Sequence, residues 1–341
     1  MIRLIAALMV IYGHSFILFD PKGYSEPVGE ILKNEYSGSL AVALFFFFGG
    51  LFVTQSYEHS KPKSSYLLKR LFRIWPALII CTLITVFIAG PFLTELPVYE
   101  YFTSKETWKY LFLNCTIVFR AAYNLPGVFI NNHYPNTVNG SFWTLPAEVR
   151  YYCLVFFLGI FNIFKKPMLL VSFVIGITLL FTTDKLTANG LTTSNITVKL
   201  LIIFLAGSLS YAYRRLIIID YRIALVLVLI TLLSYFIYFQ IIILYITMIY
   251  SALAIGISRV FKKLHLQGDY SYGIYIYGFL VQQIVANKIP ELSSYQSMLI
   301  TIPLSFILAI LSWNMIEKPA ITYLKGKNNQ LQPESNINHS L

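Results

Sequence analysis

The chain has 341 residues, of which 57% are hydrophobic and only 12% are charged, and its formal net charge is +11. Soluble domains carry about twice that share of charged residues, which excludes a water-soluble fold. The lysines and arginines fall in short clusters between apolar runs, so we expect them to face membrane lipids and the cytoplasm rather than a nucleic acid.

Long apolar runs recur along the chain at the spacing of membrane-spanning helices, which take about 20 apolar residues each. The runs lie at approximately 2–19, 39–56, 74–93, 142–163, 167–182, 197–213, 223–237, 239–257, 271–288 and 297–315. They predict an all-α polytopic integral membrane protein with about ten transmembrane helices. Residues 1–319 form the expected transmembrane domain, and 320–341 form a short polar cytoplasmic tail.

Basic residues concentrate in every second connection between these runs and again after the last run. They are Lys61, Lys63, Lys69, Arg70, Arg73, Lys165, Lys166, Arg214, Arg215, Arg222, Arg259, Lys262, Lys263, Lys318, Lys325 and Lys327. Cytoplasmic loops carry an excess of such residues, so both termini are predicted to be cytoplasmic. The longest outer connection, 94–141, is rich in aromatic residues, which favours an ordered and functional segment.

The first run has Arg3 near its cytoplasmic end and contains an ionisable residue, His14, eleven positions further on (14 minus 3). An ionisable group inside a membrane helix is costly and is therefore a candidate functional residue. That spacing is about three helical turns, so both residues lie on one face, about 16 Å apart along the axis. This arrangement suits a ligand with an anionic cytoplasmic end and a reactive outer end. The alternative is a buried histidine that bonds a neighbouring helix.

Glu148 lies in the fourth run, about 10 Å below the outer surface, and His14 lies about 8–9 Å below the same surface. A carboxylate beside an imidazole fixes its tautomer and stabilises its protonated form, as in a general base. We therefore predict that His14 and Glu148 form a catalytic pair. The alternative is that Arg150 neutralises Glu148.

Arg70 and Arg73 are three positions apart, so on a helix they project from one face. Guanidinium groups grip phosphates bidentately, and Arg3 is predicted on the same side of the membrane. The cluster therefore indicates a phosphate-bearing ligand, although an ordinary positive-inside anchor is the alternative. The tyrosines of 269–277 favour an aromatic belt at the membrane interface. The three cysteines show neither metal-ligand spacing nor a disulfide framework, and we expect no metal.

Several of these residues also form patterns that occur in order along residues 3–319. The patterns are Arg3 with His14, Arg70 with Arg73, SFWTLPAE at 141–148, SYGIY at 271–275 and IEKP at 316–319. In this set the chain resembles the membrane-bound acyltransferase 3 family, whose members O-acetylate bacterial surface polysaccharides. The segments 124–129 and 139–141 are most similar to the branch that acetylates lipopolysaccharide O-antigen.

The resemblance implies a cytoplasmic acyl-CoA donor, most simply acetyl-CoA, and a hydroxyl acceptor on an extracytoplasmic or lipid-linked glycan. It also implies a multi-pass location in the bacterial cytoplasmic (inner) membrane. The residues implied are His14 and Glu148 for catalysis, Arg3, Arg70 and Arg73 for the CoA phosphates, and Trp143, Ser141, Asn139 and His133 for the acceptor. Direct transfer and a covalent acyl-histidine intermediate fit these residues equally well. No hydrolase-like domain follows the last run, so this version is expected to acetylate its sugar directly or to rely on a partner.

Two other functions fit a polytopic chain with these ionisable residues. One is an exporter or transporter of a glycan or small anion, which the lack of an internal sequence repeat makes less favoured. The other is a polymerase or ligase of lipid-linked sugars. An acyltransferase binds or hydrolyses acetyl-CoA and neither alternative does. The sequence does not indicate an oligomeric state.

Overall fold

The computed structural model describes residues 1–20, 26–32, 35–166, 168–175, 193–234, 240–258, 261 and 266–330, and its regular structure there is helical. In chain order the first helices are α1 (Ile2–Phe19), α2 (Pro27–Leu32), α3 (Ser37–Glu58), α4 (Ser64–Ile84), α5 (Gly90–Leu93), α6 (Val98–Thr103), α7 (Lys105–Thr116) and α8 (Leu145–Ile160). They are followed by α9 (168–175). The last are α10 (Thr193–Ala212), α11 (Tyr221–Leu233), α12 (Gln240–Ile257), α13 (Ser271–Lys288), α14 (Ser294–Ser312) and α15 (Lys318–Gln330).

The predicted all-α membrane architecture is confirmed at the level of class. Within the residues that the structure describes, four helical stretches are long and apolar enough to cross a membrane, namely Ile2–Phe19, Ser37–Glu58, Ser64–Leu93 and Ser294–Lys327. Shorter apolar helices occupy Ile196–Ala212, Tyr221–Leu233 and Ile241–Ile257. The predicted runs 167–182 and 223–237 extend beyond the described residues, as do the basic residues Arg259, Lys262 and Lys263. The number of spans and the cytoplasmic termini stay predictions.

The helices group into two compact units, and the first contains Met1–Gly13, Ser25–Gln55 and Leu158–Ser271. Within it α3 and α10 approach so closely that glycines form the contact. A Cβ added at Gly50 would lie 1.8 Å from the carbonyl oxygen of Phe204, and one at Gly207 would lie 2.0 Å from that of Phe47. Small residues at helix contacts are the usual device for close packing in membranes.

A charged cluster joins elements of the same unit. The carboxylate of Glu35 accepts hydrogen bonds from Ser39 Oγ, at 2.6 Å, and from Lys199 Nζ. Lys199 Nζ also lies 4.8 Å from the centre of the Tyr245 ring. Glu35 is 6% exposed, so its pairing with a cation offsets the cost of burying its charge.

The second unit contains His14–Tyr24, Ser56–Phe157 and Tyr272–Leu341. Its segment 94–141 is ordered, as its aromatic content predicts: α6 and α7 pack in a cluster with Val86, Tyr101, Tyr110, Leu125, Val128, Phe129, Val138 and Leu280. Burial raises the pKa of Tyr101, whose hydroxyl remains a donor to the carbonyl oxygen of Val86 at 3.0 Å.

Amides fasten the end of this segment to α13. Gln283 Nε2 donates to the carbonyl oxygens of Tyr134, at 2.8 Å, and Thr137, at 2.6 Å. Asn132 Nδ2 donates to Gln283 Oε1 at 2.7 Å, and Asn287 donates to Asn132 Oδ1 at 3.0 Å. The connection after α7 is therefore held against one face of α13.

The final span runs on into the predicted tail. After α14 the chain makes a π-helical turn, Trp313–Glu317, and continues directly as α15. Leu324 is buried, and the Tyr323 ring stacks on that of Phe72 with centroids 6.3 Å apart. The helix thus continues through Gln330, whereas the rest of the predicted tail, 331–341, lies outside the described residues.

Candidate functional site

His14 lies near the end of α1, in contact with α13. Its ring meets the Phe279 ring edge to face, with centroids 5.0 Å apart and planes at 82°. His14 Nδ1 is buried and has no hydrogen-bond partner among the described residues, while the side chain as a whole is only half-buried. The adjacent Ser15 Oγ accepts from Gln282 Nε2 at 2.9 Å, which ties this turn of α1 to the turn of α13 that follows Phe279.

The Phe279 ring also packs against a second element, the 3-10 turn Gly140–Thr144 that leads into α8. A Cβ added at Gly140 would lie 2.6 Å from Phe279 Cε2, so the backbone of this turn touches the ring. The Tyr134 ring contacts Phe279 with centroids 6.3 Å apart. His14 and the 3-10 turn therefore contact one and the same phenyl ring.

Asn139 and Ser141, both predicted acceptor contacts, build this turn. Asn139 caps it: its Oδ1 accepts from the Ser141 amide at 3.2 Å, and its Nδ2 donates to the carbonyl oxygen of Ile276 at 2.7 Å. The Ser141 carbonyl oxygen accepts from the Tyr275 hydroxyl at 2.8 Å. Ser141 is 2% exposed, yet its Oγ has no hydrogen-bond partner among the described residues. Asn139 thus has a structural partner at each end of its amide, whereas the Ser141 hydroxyl is available.

Two further predicted acceptor contacts lie nearby in the chain but differ in exposure. Trp143 belongs to the 3-10 turn and is half-buried. His133 is exposed in the connection that precedes the turn. Acceptor binding by either residue stays a prediction.

Glu148 lies in the first turn of α8, half-buried, and its carboxylate accepts a hydrogen bond from the hydroxyl of Tyr152. No hydrogen bond or ion pair joins Glu148 to His14 in the part of the chain that the structure describes. The alternative partner, Arg150, is exposed and is not paired with Glu148 there either. A catalytic pair of His14 and Glu148 therefore stays a prediction, and the contact that Glu148 does make is with Tyr152.

The two arginines of α4 have different surroundings. Arg73 Nη1 lies 2.8 Å from Glu317 Oε2, and the two side chains are only 13% and 2% exposed. Glu317 Oε1 also accepts from Ser312 Oγ at 3.1 Å. Two of the sequence patterns, Arg70 with Arg73 and 316–319, thus meet in a buried ion pair.

Arg70 keeps more of its donors available. Its Nη2 lies 3.5 Å from Ser56 Oγ, its guanidinium lies 5.7 Å from the centre of the Tyr152 ring, and its Nε is buried without a hydrogen-bond partner among the described residues. Arg3 belongs to the first unit, where its Nη1 is 3.7 Å from Asp269 Oδ2. Donor binding by these three arginines stays a prediction.

The predicted aromatic belt at 269–277 is wrong for the tyrosines of α13. Tyr272, Tyr275 and Tyr277 are 6%, 8% and 4% exposed. The Tyr272 hydroxyl donates to the carbonyl oxygen of Ile74 at 2.9 Å, and that of Tyr275 to Ser141. These tyrosines pack α13 against neighbouring elements and do not face the membrane–water interface, because the α13 segment that carries them is buried inside its unit.

Comparison with known proteins adds what the geometry alone does not. The model of a family described as an acyltransferase domain, acyltransferase 3, matches residues 1–315. An O-acetyl transferase of Shigella phage Sf6 is 29% identical over 353 aligned positions, which cover 94% of each chain. No solved structure matches. Because the family model covers nearly the whole length, the chain belongs to the acyltransferase 3 family.

Proposed function

We propose that the protein is a membrane O-acetyltransferase that moves an acetyl group from cytoplasmic acetyl-CoA to a hydroxyl of an extracytoplasmic or lipid-linked glycan, such as O-antigen. Membership of the acyltransferase 3 family supports the reaction class, and the phage relative named as an O-acetyl transferase supports acetyl as the group. The location proposed is the bacterial inner membrane.

One observation supports the assignment of the residues that contact the acceptor hydroxyl and the thioester. Two buried polar atoms, His14 Nδ1 and Ser141 Oγ, have no hydrogen-bond partner in the described part of the chain, and they belong to elements that contact the same ring, Phe279. A buried polar atom without a partner costs about 1–3 kcal/mol, so such atoms mark where ligand atoms complete the hydrogen bonding. A neutral imidazole and a hydroxyl suit an acceptor hydroxyl and a thioester carbonyl.

In this reaction the oxygen of the acceptor hydroxyl forms an ester bond with the acyl carbon, and the bond from that carbon to the CoA sulfur breaks. His14 takes the proton of the hydroxyl as the new bond forms and delivers it to the departing sulfur. The Ser141 hydroxyl donates to the carbonyl oxygen as negative charge develops on it. An acyl-histidine intermediate remains an open alternative to direct transfer.

At the donor end, Arg70 is the favoured contact for the CoA phosphates. Its Nε has no described partner, whereas Arg73 already pairs with Glu317 at 2.8 Å. Arg3 lies in the first turn of α1 and His14 lies about 16 Å further along it, close to the reach of an extended pantetheine arm. The whole cofactor therefore need not cross the membrane.

The first experiment asks whether the protein acetylates a surface glycan. Bacteria that express the wild-type chain should gain acetyl groups on O-antigen or another surface glycan, detected by mass spectrometry and lost after mild base. Cells with His14→Ala at the same expression level should gain none. Two results together would favour an exporter or a sugar polymerase instead. The glycans of cells that express the wild-type chain would carry no acetyl groups, and the purified protein would neither bind nor hydrolyse acetyl-CoA.

A second experiment separates chemistry from donor binding. In single-turnover reactions with labelled acetyl-CoA, His14→Ala should abolish transfer and leave acetyl-CoA affinity nearly intact, because the imidazole acts away from the phosphates. Glu148→Gln should slow transfer by on the order of 10²–10⁴-fold if it assists the proton transfer. The double variant should be little slower than His14→Ala, as for residues that act as one unit. Near wild-type transfer by His14→Ala would exclude the assignment.

A further inference from the structure

The two arginines of α4 each lie over the ring of a tyrosine, but the two tyrosines differ in what their hydroxyls bond. Arg73 lies 5.5 Å from the centre of the Tyr272 ring, and the Tyr272 hydroxyl donates to a backbone carbonyl, that of Ile74. Arg70 lies 5.7 Å from the centre of the Tyr152 ring, and the Tyr152 hydroxyl donates to the Glu148 carboxylate. In the second arrangement a hydrogen bond of the tyrosine connects the ring beneath the cation directly to an ionisable side chain of the site.

Tyr152 is held in this position from two directions. Its carbonyl oxygen accepts from the Tyr66 hydroxyl at 2.9 Å, and Tyr66 is completely buried. Its side chain lies one helical turn after Glu148 on α8, where residues four apart are neighbours on the helix surface. The ring therefore has little freedom to leave Arg70, and the hydroxyl has little freedom to leave Glu148.

We propose that Tyr152 is a positioning residue that joins the donor-binding arginine, Arg70, to Glu148, an inference that rests on the proposed function. The ring face attracts the guanidinium of Arg70 and orients it toward the donor. The hydroxyl donates a charge-assisted hydrogen bond that fixes one carboxylate oxygen of Glu148. One side chain thereby orients both groups: its ring orients the guanidinium that binds the donor, and its hydroxyl orients the carboxylate of Glu148.

The two ends can be removed one at a time. Tyr152→Phe keeps the ring and loses the hydroxyl, so kcat should fall on the order of tenfold to hundredfold while the KM for acetyl-CoA stays unchanged. Tyr152→Leu also loses the aromatic face, so the KM for acetyl-CoA should rise as well, by roughly two- to fivefold. A merely structural tyrosine would not split the two constants in this way.

Tyr101→Phe is the control. It also removes a buried hydroxyl, but that hydroxyl donates to a backbone carbonyl, that of Val86, so kcat and KM should both stay near the wild-type values. Combining Tyr152→Phe with Glu148→Gln should lower kcat little more than Glu148→Gln alone, because the hydroxyl acts through that carboxylate. Each variant is compared at equal amounts of protein that elutes as a single folded species.

The outcomes separate the two proposals. A wild-type protein that transfers no acetyl group from acetyl-CoA would overturn the proposed function and the role of Tyr152 together. An active wild type with a normal kcat in Tyr152→Phe would overturn the role of Tyr152 alone. So would kcat losses that simply multiply in the double variant, or an equal loss in Tyr101→Phe.

Discussion

At the residue scale, Gly140 has no room for a side chain beside the candidate site. An added Cβ would lie 2.6 and 2.7 Å from two atoms of the Phe279 ring, closer than real Cβ contacts. The ring is 5% exposed and touches His14 on another side, so it has few directions in which to move. Gly140→Ala should therefore press the ring against the imidazole.

We expect Gly140→Ala to lower single-turnover acetyl transfer by on the order of tenfold to hundredfold, since misplacement by about 1 Å has effects of this size. Shortening the ring in Gly140→Ala with Phe279→Leu should restore part of the rate. Gly326→Ala is the control, because nothing lies within 4 Å of its added Cβ. An unchanged rate in Gly140→Ala would mean that the ring does not position His14.

The sequence predicts the ionisable residues of the site better than their partners. His14 and Glu148 are visible because charge is costly in an apolar run. Tyr152 could have been found, since it is four positions after Glu148 on a helix. Phe279 has no such signal: in a chain with 16% aromatic residues it resembles many others, and only folding brings it to His14.

At the element scale, hydropathy predicts which segments become helices but not how the helices touch. The apolar run 39–56 matches α3, whereas its contact with α10 depends on glycines that hydropathy does not distinguish. Hydropathy reports transfer into lipid, while helix association in lipid depends on close packing. Hydropathy likewise does not locate α6, α7 or the continuation of the last span into α15, because polar residues interrupt their apolar pattern.

Neighbouring glycines of α3 allow the packing to be tested. Gly50→Ala should destabilise the fold by about 1–3 kcal/mol, the usual cost of overpacking, because its Cβ meets the Phe204 carbonyl oxygen. Gly49→Ala should be nearly neutral, since its added Cβ lies 3.6 Å from the Phe204 ring, an ordinary contact. The measurement is the thermal unfolding of purified protein in one detergent. Equal stability of the two variants would contradict close packing of α3 and α10.

At the scale of the whole molecule, orientation in the membrane is predicted from basic loops and has a direct test. In a background without Cys81, Cys115 and Cys153, a cysteine at Lys61 should be shielded in intact cells from an impermeant thiol reagent. A cysteine at Asn131 should be labelled. Both positions are exposed, so access to the reagent depends on the side of the membrane. Labelling at 61 from outside would reverse the orientation and, with it, the side of the donor.

The buried pair of Arg73 and Glu317 also has a consequence for how the chain is made. Its members are 244 positions apart, and Glu317 is synthesised after nearly all of the helices. At roughly 5–20 residues per second, the ribosome reaches Glu317 roughly 10–50 s after Arg73. During that interval the growing chain carries the guanidinium of Arg73 without its carboxylate. The ion pair that anchors the stretch Ser64–Leu93 therefore forms only after most of the stretch Ser294–Lys327 has been synthesised.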